Sequence, residues 1–92
     1  MIALEARPER VGRVLAERAA ESLILLDPDS GQYYTLDEVG ARLWELCDGS
    51  RRVEDLVAAI YAEYDAPLNT IQADVLELLG ELVREQLVAA SP

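Results

Sequence analysis

The run from Gly31 to Gly49 (GQYYTLDEVGARLWELCDG) leaves this chain few ways to fold. It reads as a turn, a short strand, a helix and a stop, with almost no slack between them. Tyr33 to Leu36 is β-prone, with two aromatics and the β-branched Thr35. Asp37 is placed to cap a helix, and Val39, Leu43 and Leu46/Cys47 recur behind it at helical spacing. Asp48-Gly49 then ends that helix, because Gly takes the positive φ that a helix exit often uses. A strand fed straight into a helix is fixed in place. Where such a strand is also a sheet edge, its unpaired backbone groups can dock another peptide.

Upstream, residues 1–12 carry Pro8 and Gly12 and no clear period, so an irregular arm is expected there. Val14 to Ala19 reads as a short strand or a turn of helix, its alanines serving either. Glu21 to Leu26 (ESLILL) is a clearer strand. Between it and QYYTL lies Asp27-Pro28-Asp29-Ser30-Gly31, a turn signal that predicts a hairpin with a five- or six-residue loop. Downstream, a second helix is expected from Arg52 or Val53 to Tyr64, with Ser50 as a candidate cap. Its stripe is Val53, Leu56, Val57, Ile60, Tyr61 and Tyr64. Asp65-Ala66-Pro67 breaks it. A third helix follows Asn69 or Thr70 to about Glu85, and Leu87 to Ala89 can add a short strand. No repeat or linker divides the chain, so residues 1–92 are read as one domain. The order predicts an α+β fold of winged-helix-turn-helix type: an N-terminal three-stranded antiparallel sheet followed by three helices.

Charge removes whole classes of function. Eighteen Asp and Glu stand against eight basic residues, all Arg, for a net charge of −10. Nucleic-acid binding needs a basic footprint that releases counterions, and an anionic membrane attracts the same residues. Neither is expected. The acidity serves solubility, or else a basic partner surface. With one cysteine no internal disulfide can form. The N-terminus lacks the features of a signal peptide and no apolar run reaches membrane-spanning length, so a cytoplasmic location is expected.

Chemistry has little to work with. There is no His, so the commonest general base and metal ligand is missing. Cys47 sits beside Glu45 and Asp48, neighbours that disfavour a thiolate, and reads as a small buried hydrophobe. The glycines at 12, 31, 40, 49 and 80 form no phosphate loop, and Asp27 and Asp29 lack the spacing of a calcium loop. No cofactor, metal site or catalytic residue is implied. Trp44 reads as core beside the sheet. Tyr33 and Tyr34 must face opposite sides of their strand, one inward and one exposed.

The third helix is unusual. With Ile71 at 0°, Val75, Leu78 and Leu82 fall within about 40° of it, Leu79 near about 80°, and Val83 and Leu76 at about 120–140°. That arc of roughly 160° exceeds the ~100° stripe one core requires. Either this helix is central and touches two neighbours, or one flank lines an external groove. The flank Ile71, Asp74, Val75 and Leu78 is the candidate for the groove, with Leu76, Leu79 and Val83 in the core; the opposite allocation stays open. On the first allocation, a charge at Val75 abolishes binding without unfolding the protein.

The run from Gly31 through Val57, followed by ADVLELLGELVREQLV, resembles the PqqD family, whose relatives are the RiPP recognition elements. The resemblance covers about Ser22 to Val88. It rests on a G-x-x-Y-x-L strand, a helix ending in D-G-x-R, and a D-V-x-x-L-L-x-x-L helix. Gln86 departs from it, standing where relatives usually have Gly. The resemblance implies non-catalytic binding of the leader peptide of a ribosomally made precursor. The leader would add as an antiparallel strand to Tyr33, Tyr34, Thr35 and Leu36 and settle against Ile71, Asp74, Val75 and Leu78. It also implies a maturation enzyme as partner. The look of Trp44 to Arg51 favours lasso peptide biosynthesis, where that partner is a cysteine leader protease. The alternatives are a PqqD-type pathway with a radical SAM enzyme and, against the charge balance, a winged-helix nucleic-acid-binding protein.

Overall fold

The computed structural model describes residues 2–91. The chain runs β1 (Arg7–Arg10), β2 (Leu15–Ala19), β3 (Ser22–Asp27), β4 (Gln32–Leu36), α1 (Glu38–Leu46), α2 (Val53–Glu63), α3 (Leu68–Arg84) and β5 (Val88–Ser91). The α+β class and the three successive helices match the expectation. The sheet does not match fully. A three-stranded antiparallel sheet in the order β2-β3-β4 is joined by a separate two-stranded sheet of β1 and β5.

That second sheet corrects the reading of residues 1–12 as irregular. β1 pairs with β5 from Arg7↔Ser91 to Arg10↔Val88. Its other edge is tied to the exit of α1: Arg10 N–H donates to the Cys47 carbonyl at 3.0 Å, and Gly49 N–H donates to that of Pro8 at 2.9 Å. Pro8 has no N–H to donate, but its carbonyl and its apolar ring are both used, the residue being fully buried.

Register explains the layering. β3 pairs with β4 as Leu23↔Leu36, Leu25↔Tyr34 and Asp27↔Gln32, which puts Leu23, Leu25, Leu36 and half-buried Tyr34 on one face. That face meets Trp44, Ala41, Leu82, Leu87 and Val88 in one core cluster. A second cluster lies between the helices: Leu43, Leu46 and Cys47 of α1 and its exit, Val53, Leu56, Val57 and Ile60 of α2, and Ile71, Val75 and Leu79 of α3. α3 serves both, so its wide apolar arc is partly that of a central helix.

The local signals are largely realised. The β3–β4 loop is four residues, Pro28 to Gly31, shorter than expected, because Asp27 and Gln32 already pair. Asp27 holds it: its Oδ1 accepts from Asp29 N–H at 3.0 Å, and its carbonyl from Gly31 N–H at 2.7 Å. Asp37 caps α1, accepting from Gly40 N–H at 2.8 Å. Gly49 leaves the helix at φ 84°. The D-G-x-R run closes this exit: Arg51 reaches both the Leu46 carbonyl at 3.3 Å and Asp48 at 3.1 Å. Ser50 does not cap α2. Its hydroxyl is taken by Asp48, and Asp55 instead accepts from Arg52 N–H at 3.0 Å. α3 starts at Leu68, earlier than expected, with Pro67 as its cap residue. Gln86 takes φ 63°, and the turn closes with Leu87 N–H on the Leu82 carbonyl at 2.9 Å.

Candidate functional site

β4 is an edge strand: among the described residues none pairs with its outer side. In an antiparallel pair every second residue turns its N–H and C=O away from its partner, so β4 offers an unfilled ladder. β2 is the other edge of the same sheet. What distinguishes β4 is where it leads. Leu36 and Asp37 carry it directly into α1, and α1 forms one side of a groove.

This groove has a volume of about 400 Å³ and lies between the N-terminal half of α1, α3 and the end of α2. Its α1 wall is Asp37, Val39, Gly40 and Leu43; its α3 wall includes Ile71, Asp74, Val75 and Leu78. All four helix residues singled out by sequence are thus brought to one surface. Their depths differ. Ile71 and Val75 are 5% and 3% exposed and belong to the helical core, whereas Leu78 is half-buried and Asp74 exposed. The groove floor is therefore also core, and a charge at Val75 strikes the fold first, contrary to the sequence expectation. Of the residues assigned to the core, Leu79 is fully buried, while Leu76 and Val83 are only half-buried against it.

Gly40 sets the groove's width. A Cβ there would stand 3.2 Å from Leu36 Cβ and 3.3 Å from Leu78 Cδ2, so the absent side chain lets α1 approach α3 over Leu36. A glycine inside a helix costs about 1 kcal/mol relative to alanine, which makes the close approach its physical reason. None of the four strand residues lines this groove; β4 meets it only at Leu36, under Gly40. Tyr33 is 69% exposed on the outer face with Thr35, while Leu36 is buried beneath Gly40. The Tyr34 hydroxyl lies 2.7 Å from Gln32 Oε1 and 3.1 Å from Glu85 Oε2, linking β4 to the end of α3. Burial, and then Glu85, push its phenol above the usual range.

Sequence reasoning missed Val39, Gly40, Tyr64, Glu77 and Glu81 as part of this surface. Val39 and Tyr64 fit the apolar stripes expected of the first and second helices. Yet Val39 is 37% exposed and lines the groove with Tyr64. A glycine within an apolar helical pattern was the available signal for a close approach.

The site is apolar below and acidic around. Asp37, Asp74, Glu77 and Glu81 line it, without a basic residue among the lining side chains. Tyr64 contributes a phenol whose pKa is raised above its ordinary value, first by burial and then by Glu38 and Glu63. Cys47 lies elsewhere in the core, its thiol pushed up to about 12, chiefly by burial. Among the described residues no group of three or more His, Cys, Asp or Glu is placed to hold a metal ion, and no helix is long and apolar enough to cross a membrane. Chemically this surface can pair an extended backbone along β4 and receive side chains in a small cleft.

Known proteins share this plan. The family model for coenzyme PQQ synthesis protein D (PqqD) matches residues 22–88. A PqqA binding protein from Xanthomonas oryzae pv. oryzae (strain PXO99A) is 32% identical over 76 residues, covering 83% of this chain and 80% of that protein. One from Xanthomonas axonopodis pv. citri (strain 306) is 32% identical over 89 residues, covering 95% of each. Among solved structures, TbiB1 in complex with the TbiA(beta) leader peptide matches with a TM-score of 0.76 at 31% identity, over 87% of this chain and 93% of that one. Lasso peptide synthetase B1, complexed with the leader peptide, also has a TM-score of 0.76; at 21% identity, over 95% of this chain and all of that one, it bears on the fold alone. The matched span takes in both β4 and the groove wall of α3, and this chain belongs to the PqqD family.

Proposed function

We propose that this protein is a RiPP recognition element: a non-catalytic, single-domain receptor for the leader peptide of a ribosomally synthesised precursor. The observation that carries the reading is a sheet edge running directly into an apolar groove. The leader adds as a strand along Tyr33, Tyr34, Thr35 and Leu36, and main-chain hydrogen bonds supply affinity for any extended peptide. Its side chains enter the groove over Ile71, Val75 and Leu78, beside Asp74, and this contact selects the sequence. About 400 Å³ lies near the bottom of the range for small-molecule pockets and suits a few side chains. The hairpin followed by α2, a Pro-containing turn and α3 supports a winged-helix relation, with the sheet edge turned to peptide.

A bound leader brings its precursor to a maturation enzyme at raised effective concentration. The leader-bound TbiB1 at 31% identity supports leader binding. The lasso pathway, with a cysteine leader protease as that enzyme and a cytoplasmic setting, rests on the resemblance around Trp44 to Arg51. A second reading is favoured by the PqqA binding proteins at 32% identity: a PqqA-like precursor handed to a radical SAM enzyme. Genes adjacent to this one separate the two. Leader binding itself is tested by calorimetric titration of the leader segment of the precursor encoded beside this gene. Saturable 1:1 binding is expected. No heat or displacement up to about 50 µM, an affinity of roughly −6 kcal/mol, would sink the proposal.

A further inference from the structure

We propose, on the basis of the leader-binding reading above, that the peptide this groove accepts is cationic: an extended segment whose apolar side chains enter the groove while Lys or Arg side chains meet an acidic row on α3. The row consists of Asp74, Glu77 and Glu81, which line the groove together with Asp37 on the opposite wall. All four are exposed. Asp37 is already engaged as the α1 cap, but among the described residues no ion pair involves Asp74, Glu77 or Glu81. Elsewhere among the described residues some acids are paired and others, such as Glu17, Glu21 and Asp65, are in no ion pair, so what marks this row is its place on the groove. Glu63 and Glu45 share Arg42, Asp48 holds Arg51, and Asp27 holds Arg13. Arg42, on the same helix as the α1 wall, is thereby held away from the groove by Glu63 at 2.9 Å.

Like charges three and four residues apart on a helix repel by a few tenths of a kcal/mol per pair. Such a row beside an apolar cleft is relieved by a cation that arrives with the ligand. The spacing suits a strand. At 1.5 Å per residue the three carboxylates rise about 4.5 and 6 Å apart along α3. Same-facing residues of an extended peptide repeat at about 6.7 Å. A basic residue at one of the positions that face α3 can therefore reach a carboxylate of the row, with apolar residues at the other facing positions, while an Asp or Glu there is repelled. The net charge of −10 adds long-range steering of the same sign.

The test uses a phage-displayed library of random peptides about 12 residues long, some 40 Å when extended. Selection on the folded protein is expected to enrich Lys and Arg beside apolar residues and to deplete Asp and Glu. Enrichment of neutral or acidic peptides overturns the charge assignment and leaves leader binding standing. Recovery of no peptide above background overturns both. A selected basic peptide is then titrated against the Glu77→Gln/Glu81→Gln double variant. Each exposed pair lost should weaken binding by about 1.4- to 5-fold, and the affinity should become less sensitive to salt. An unchanged affinity and salt dependence also overturns the proposal, since these exposed substitutions leave the core intact.

Discussion

Val39 and Val75 line the same groove at different depths, and this separates binding from folding. Val39 is 37% exposed in the first turn of α1, whereas Val75 is 3% exposed in the helical core. Val75→Ala removes two buried carbons at about 0.8 kcal/mol each, or about 1.6 kcal/mol. The vacated space opens toward the groove, so the additional cavity cost is small. In a domain of this size that loss lowers Tm by about 6–13 °C. Val75→Asp puts an unpaired carboxylate among Leu43, Ile60 and Leu79 and should leave no stable native state. Val39→Asp differs: the side chain reaches water, and an acid near a helix N-terminus is tolerated. It should change stability by less than about 0.5 kcal/mol while weakening peptide binding at least tenfold. Urea unfolding followed by Trp44, the single tryptophan and a buried one, measures the first quantity. Calorimetry measures the second. A Val75→Asp protein with the parent's unfolding midpoint would refute the assignment of the floor to the core. A Val39→Asp protein that fails to fold would refute the placement of Val39 at the groove surface.

Three further outcomes follow from the same structure. Gln86→Gly should raise stability by about 1 kcal/mol, read as a higher urea midpoint, because Gln86 holds φ 63° and only a side chain makes that conformation costly. Cys47 is fully buried with its thiol pushed up to about 12, so it should resist a thiol reagent at pH 8 in the folded protein and react at once in denaturant; fast native labelling would contradict its burial. The hydrogen bond and charge of Arg13 hold the Asp27 carboxyl below its ordinary value of 3.8, despite an opposing push from burial. A folded-state pKa that is depressed gives stability at higher pH that is lost as pH falls. The stability gap between the parent and Asp27→Asn should therefore be constant from about pH 7 to 5 and narrow below about pH 4. A gap that widens in acid would mean that Arg13 does not favour the carboxylate.

The sequence was most legible where short-range chemistry acts alone. The turn before β4, the Asp37 cap and the Gly49 exit each depend on residues within a few positions, and each is realised. The β1–β5 sheet was not legible. Its strands are four residues long and join the two ends of the chain, and a Pro within β1 argues against a strand until its buried, paired setting is known. The β2–β3 hairpin was half hidden as well. It turns at Ala20 with φ 56°, where Gly or Asn would have announced the turn. In α3 the excess apolar arc was readable, but its division was not. Periodicity gives direction around a helix and not depth. Ile71 and Val75 point toward the groove and are nonetheless packed as core, and while Gly40 signals a close approach, its partners Leu36 and Leu78 are not readable from the local pattern.

The central claim is that a peptide pairs with the outer edge of β4. Backbone amide hydrogen exchange, read residue by residue by NMR with and without a saturating leader peptide, tests it most directly. Strand addition should protect alternate amides from Gln32 to Leu36, those turned away from β3, and leave β2 amides unchanged. Saturable binding that protects β2, or only the helices, while the outward amides of β4 exchange as freely as before, would contradict it.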